Sequence, residues 1–174
     1  MSTQFKVPID RIPLSSFETN TNDDPTLETI SLTLFVAGCV RKCIGCQNPN
    51  LQKVTSENHR MFHLDEIKKI IEDRTCLIKS VCFCGGDFFP LYKDQLRNLV
   101  GFCKFKNLKT ILYTGEMCEN IDKYLQKNID IIVDGFYDYS KKTNKFPASS
   151  NQRCWINSNL IDPELLEINI NAPK

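Results

Sequence analysis

Cys39, Cys43 and Cys46 fall in one short run, Gly38-Cys39-Val40-Arg41-Lys42-Cys43-Ile44-Gly45-Cys46, separated by three residues and then by two. Three thiolates this close cannot complete the coordination of a four-iron cube. They hold three irons and leave the fourth open for a ligand, whereas an electron-carrying cluster uses four cysteines. The run directly follows Leu32-Thr33-Leu34-Phe35-Val36, which reads as a buried strand. The fold must therefore present the cysteine loop at the C-terminal end of a strand, the end that carries the chemistry in α/β barrels. Spacing by itself also admits a structural zinc site, with the fourth ligand drawn from His59, His63 or a remote cysteine.

The rest of the chain alternates apolar strand-like runs with helical periodicity. Leu64, Ile67, Ile70 and Ile71 recur at helical spacing, with Asp65 and Glu66 in the first turn. Residues 80–84 read as a second strand. Leu91, Leu96, Leu99, Val100 and Cys103 mark a second helix, and residues 110–113 a third strand. Ile121, Tyr124 and Leu125 indicate a short third helix, followed by strands at 129–133 and 153–156. Alternation of this kind predicts parallel βα units. About five such units are too few for an eight-stranded barrel, so the expectation is an open, partial barrel with about five parallel strands. Residues 1–28 are expected as an N-terminal arm or loop, with Val7, Ile9, Ile12 and Leu14 as a short strand or packing arm and a polar loop over residues 19–25. Residues 29–174 are expected as a single domain.

A formal net charge of +1 over 174 residues gives no strong field for nucleic acid or an anionic membrane. No apolar run is long enough to span a bilayer and no signal-peptide core stands at the N-terminus, so a cytoplasmic protein is expected. Nine cysteines without a secretion signal argue against a disulfide framework. The six outside the triad read as small buried apolar residues. Cys82 and Cys84, two apart on one strand and just before Gly85-Gly86, face the same side and also admit a redox pair or second cluster.

Several segments around the triad occur together in a known family. The run 34–39 with Gly45-Cys46-Gln47-Asn48, then Gly85-Gly86-Asp87, Tyr113-Thr114-Gly115, Ile132-Val133-Asp134-Gly135 and Ser149-Ser150-Asn151-Gln152 follow in order. The chain resembles the radical S-adenosylmethionine (SAM) enzymes. Within them it is similar to the activating enzymes of the anaerobic (class III) ribonucleotide reductase, over roughly residues 32–157. It departs from the family pattern at Gln47, where an aromatic residue is common, at Phe88, where proline is usual, and over residues 24–27, where Gly-Pro-Gly is common.

The resemblance implies a shortened radical SAM barrel and a [4Fe-4S] cluster on Cys39, Cys43 and Cys46. It implies SAM bound by Gly85, Gly86 and Asp87 at its methionyl amino group, with further contacts from Thr114, Asp134 and Asn151. It implies reductive cleavage of SAM and formation of a glycyl radical on the catalytic subunit of the anaerobic reductase, with a flavodoxin-like protein as electron donor. Arg41 and Lys42 would raise the positive potential beside the cluster. Activation of another glycyl-radical enzyme, a small-molecule radical SAM reaction, or a non-catalytic iron–sulfur or zinc module are the alternatives the residues leave open.

Overall fold

Strand parity organises this protein. In a computed structural model, which describes residues 7–20, 23–162 and 166, alternate residues of each central strand point to opposite faces of one sheet. Val81, Phe83, Leu112 and Ile132 face the helices in the main core. Cys82, Ile111, Ile131, Val133 and Cys154 pack together on the other face. Of the expected N-terminal arm, residues 1–6, 21 and 22 lie outside the described set. So do residues 163–165 and 167–174 of the expected single domain.

The sheet contains β1 (Arg11–Asn20), β2 (Ser31–Val36), β3 (Arg60–His63), β4 (Ser80–Gly85), β5 (Lys109–Tyr113), β6 (Ile131–Asp134), β7 (Arg153–Ile156) and β8 (Asn159–Ile161). Their order across it is β3-β1-β2-β4-β5-β6-β7-β8. Strands β2, β4, β5 and β6 pair in parallel. The helices α1 (Leu64–Glu72), α2 (Lys93–Phe105) and α3 (Lys123–Asn128) lie in the three connections between those strands. The α/β class with a parallel core is thus as the periodicity predicts, but the strand at 153–156 is a correction. It pairs antiparallel with β6. A parallel neighbour needs a crossover, usually a helix. Residues 135–152 hold only a short 3₁₀ turn at Tyr139–Lys141, so the chain turns back at the same end of the sheet.

Local chemistry fixes the helices. Leu64, Ile67 and Ile71 turn inward on α1, and the Glu66 carboxylate reaches back to the His63 N–H at 2.7 Å, satisfying a free donor at the helix start. Asp122 caps α3 by accepting from Leu125 N at 3.1 Å. Leu96, Leu99, Val100 and Cys103 form the buried stripe of α2.

The N-terminal segment is more than an arm. β1 pairs with β2 along most of its length, and Ile12 and Leu14 are fully buried in the main core. Ile9, by contrast, precedes the strand and is exposed. The turn after β1 is tied to the bottom of the parallel strands by buried Asp24. Its carboxylate accepts from Thr26 Oγ1 at 2.7 Å and Thr29 Oγ1 at 2.5 Å, and it pairs with Lys109 at 3.3 Å.

Candidate active site

The loops after β2, β4, β5 and β6 meet at one end of the sheet. They surround a cavity of about 480 Å³ lined by Cys39, Cys43, Cys46, Gly85, Gly86, Asp87, Thr114 and Gly115, among others. A larger hollow, about 780 Å³, lies at the opposite strand ends near Lys104, Asp130 and Asn157. There Lys104 pairs with Asp130 at 2.6 Å and Lys109 with Glu28 at 3.0 Å, and no thiol lines the hollow. The first cavity, which gathers the cysteine triad, is the candidate site.

Backbone geometry builds the cysteine loop. Gly38 has a φ of +100°, which brings its N–H to Leu51 O at 2.7 Å and the Cys39 N–H to Gln52 O at 3.0 Å. Cys39 Sγ accepts from Arg41 N at 3.3 Å and Cys46 Sγ from Asn48 N at 3.4 Å. Amide donors two residues beyond a sulfur favour its anionic form. Burial pushes the Cys39 thiol up to about 11, so a bound cation must displace its proton.

The donors around the cavity bear on which metal group it could hold. Among the described residues, no three His, Cys, Asp or Glu side chains converge on a single metal ion. His59 Nδ1 is within 2.5 Å of Thr55 O, His63 stands 3.3 Å from Asp10, and neither lines the cavity. Neither histidine supplies the fourth ligand of a zinc site, which leaves Cys84, on the same cavity, as the remaining candidate. Thiols that each take a different iron of one cluster need no common point, and the three cysteines share one cavity wall. The residues fit a cluster.

Asp87 lines the same cavity, and its N–H donates to Gly38 O beside the cysteine loop at 2.8 Å. It is almost fully buried. One oxygen accepts from Phe89 N at 3.1 Å, the other from Thr114 Oγ1 at 3.1 Å and Gly115 N at 2.9 Å. Burial pushes its carboxyl up to about 7 against the pull of those donors and of Arg41. Arg41, between two cysteines, pairs with Glu116 at 2.5 Å, and its stem packs on Gly115. Asn48 Nδ2 donates to Gly85 O at 3.2 Å and binds the cysteine loop to β4.

Two expected contacts lie elsewhere. Asp134 ends β6 on the helix-side face and does not line the cavity. Its carboxylate accepts from Cys118 N at 2.7 Å, Trp155 Nε1 at 3.1 Å and Arg153 Nε at 3.0 Å. Arg153 also grips Glu119 at 2.7 Å. Asn151 donates from Nδ2 to Phe136 O at 2.8 Å, and its neighbour Gln152 lines the cavity instead. Residues 23–25 and Leu27, with Tyr137 and residues 146–148, also form the wall. Sequence spacing carries no signal for these, because they are brought in by long loops.

A fourth thiol, Cys84, faces the cavity from β4. Cys82, on the same face one rung deeper, has its thiol raised well above its ordinary range by burial and by the neighbouring Cys84 thiol. The pair is on one side, as the spacing predicts, and both cysteines are free thiols.

Fold and site together define a single-cluster iron–sulfur α/β protein. The family described as "4Fe-4S single cluster domain" matches residues 28–155. The anaerobic ribonucleoside-triphosphate reductase-activating protein of Enterobacteria phage T4 is 32% identical over 133 residues, covering 73% of this chain and 84% of the relative. The protein of the same name from Vibrio cholerae is 31% identical over 115 residues, covering 59% of this chain and 71% of the relative. The chain belongs to the family of anaerobic ribonucleoside-triphosphate reductase-activating proteins. Among solved structures, QueE from Escherichia coli aligns over 62% of this chain and 54% of that one, with 11% identity and a TM-score of 0.49. That likeness is too loose to add to the strand order.

Proposed function

We propose that this protein is a radical SAM activase that generates a glycyl radical on the anaerobic ribonucleotide reductase. The observation that carries the reading is the shared cavity. Three thiols line it together with a buried carboxylate and the Thr-Gly strand end that holds that carboxylate. Cys39, Cys43 and Cys46 hold the cluster. Asp87 accepts the ammonium of the SAM methionyl group, and its three internal donors keep the carboxylate aimed. Gly115 leaves room beside it. When bound, the cluster and SAM supply a one-electron reductive cleavage whose nucleoside product takes a hydrogen atom from a substrate glycine.

The chain's own work is positional. The Gly38 turn and the Asn48–Gly85 bond set the cysteines against the β4 loop. Arg41 links the cysteine loop to the end of β5. The reductase names carried by the relatives, joined to a cavity open at the strand ends, support a protein loop as substrate. A flavodoxin-like donor and a cytoplasmic setting complete the reading. Among the described residues no helix is long and apolar enough to cross a membrane.

The test is direct. Anaerobically reconstituted protein, mixed with the reductase, SAM and dithionite, should release 5′-deoxyadenosine and give the doublet of a glycyl radical in electron paramagnetic resonance. The doublet should vanish when the reductase's C-terminal glycine is replaced by alanine. Nucleoside release without any doublet would refute the reductase as substrate and leave the SAM chemistry in place.

A further inference from the structure

An apolar surface lies on the outer side of the loops that wall the cavity. Ile44, between Cys43 and Cys46, is 82% exposed, Tyr139 is 61% exposed and Val40 is 49% exposed. None of the three lines the cavity. The Tyr139 ring packs on the Gly45 backbone, where a Cβ would stand 3.2 Å from its Cγ, so it sits beside Ile44. Ile44 and Tyr139 are thereby neighbours, and Val40 is exposed earlier on the same cysteine loop; exposed apolar side chains so placed mark an interaction site.

The surround is cationic. In residues 39–48 and 135–148 the single acid is Asp138, and it pairs with Lys141. The Arg41 charge, expected to add to the potential here, is taken up by Glu116. Lys42, Lys142 and Lys145 are exposed and form no ion pair among the described residues. The patch also touches the segment between two cysteines, so a partner seated on it approaches the sulfurs from outside and leaves the cavity free.

We propose that Val40, Ile44 and Tyr139, flanked by Lys42, Lys142 and Lys145, form the docking surface for a small acidic electron-carrier protein, distinct from the cavity mouth that receives the protein substrate. The inference rests on the activase reading above. An acidic carrier supplies the complementary charge, which sets encounter rate and register, and the apolar centre supplies the area removed from water.

Oxidised flavodoxin, titrated into the cluster-loaded protein and followed by its flavin fluorescence, tests this. Binding should weaken steeply with salt. Ile44→Asp, and the double variant Lys142→Glu with Lys145→Glu, should each weaken it on the order of tenfold or more. The double lysine variant, which lies outside the cysteine loop, should retain iron content and dithionite-driven SAM cleavage. Unchanged flavodoxin affinity would overturn the proposal. So would variants that lose affinity for the reductase instead, or that break up a dimer in sedimentation, because the surface would then belong to the substrate or to a second copy. A wild-type protein that binds flavodoxin but cleaves no SAM under dithionite would sink the activase reading and leave the surface standing.

Discussion

Gly86 lies so tightly against Gly38 that a Cβ on Gly86 would stand 2.8 Å from the Gly38 carbonyl carbon. The oxygen of that carbonyl accepts the Asp87 N–H at 2.8 Å. The loop after β4 is thereby fastened to the residue that precedes Cys39. Gly86→Ala must displace backbone, which cannot rotate aside as a side chain does. Overpacking of this kind costs about 1–3 kcal/mol. The expected result is a lower melting temperature for the metal-free protein and reduced iron uptake on reconstitution. An alanine variant with the wild-type melting temperature and full iron would show that the loops are held by other contacts.

The cysteines divide into two groups by position. Cys39→Ala, Cys43→Ala and Cys46→Ala should each abolish iron binding in anaerobic reconstitution. Cys82→Ala and Cys84→Ala should retain it, since both stand on β4, outside the cysteine loop, and Cys82 is fully buried. Iron lost on replacing Cys84 alone would make it a fourth ligand and close the open coordination position.

Asp87 is the group predicted to meet the SAM ammonium. Charge-assisted hydrogen bonds contribute about 1.5–3 kcal/mol. Asp87→Ala should weaken SAM binding by roughly one to two orders of magnitude with the cluster intact. Equal affinity in the variant would reduce Asp87 to a brace for residues 114 and 115.

Asp134 is expected to act on stability rather than on SAM. Removing it leaves Arg153 and the Trp155 N–H without their buried acceptor. Arg153 keeps Glu119 and is partly exposed, so the loss is that of charge-assisted hydrogen bonds, about 1.5–3 kcal/mol. Asp134→Ala should show that loss in denaturant unfolding. SAM affinity of the folded fraction should stay within about twofold, under about 0.5 kcal/mol. A stable variant with poor SAM binding would return Asp134 to the site.

Asp24 sets an acid limit. Burial alone would raise its carboxyl, but hydrogen bonds from Thr26 and Thr29 and the Lys109 charge hold it below its ordinary 3.8. A carboxyl depressed in the folded state adds stability above its unfolded pKa and loses it as pH falls through the folded value. The Asp24 contribution should therefore be complete above about pH 5 and be lost on acidification below that, while Asp87, raised to about 7, acts in the opposite sense between its unfolded and folded values. Asp24→Asn should be less stable at neutral pH and decline less steeply. Parallel declines in the two proteins would assign the acid sensitivity to other groups.

Much of this was legible before folding. The period-2 and period-3.6 patterns locate the four parallel strands and three helices to within a few residues. The triad, Asp87 and Thr114 come to one cavity because each ends a parallel strand, and strand ends share one edge. Asp134 follows the same rule in sequence yet leaves the site, because its parity on β6 turns it to the helix side, and parity cannot be counted without the register. β3 and β8 are edge strands of four and three residues, too short for an alternating pattern to register. The wall residues from 23–27 and 137–148 are placed by loop paths that no local pattern encodes.

The parity of β6 also bears on how the chain assembles itself. Ile131 and Val133 belong to one face, Ile132 and Asp134 to the other. A slip of one residue would swap every side chain across the sheet. It would drive the Asp134 carboxylate into the layer of Cys82, Ile111 and Cys154 while stranding Arg153. The misregistered sheet thus carries an uncompensated buried charge, and the correct one carries none. One acidic residue serves as a checksum on strand alignment, so the edge that carries the catalytic loops is aligned before any cofactor binds.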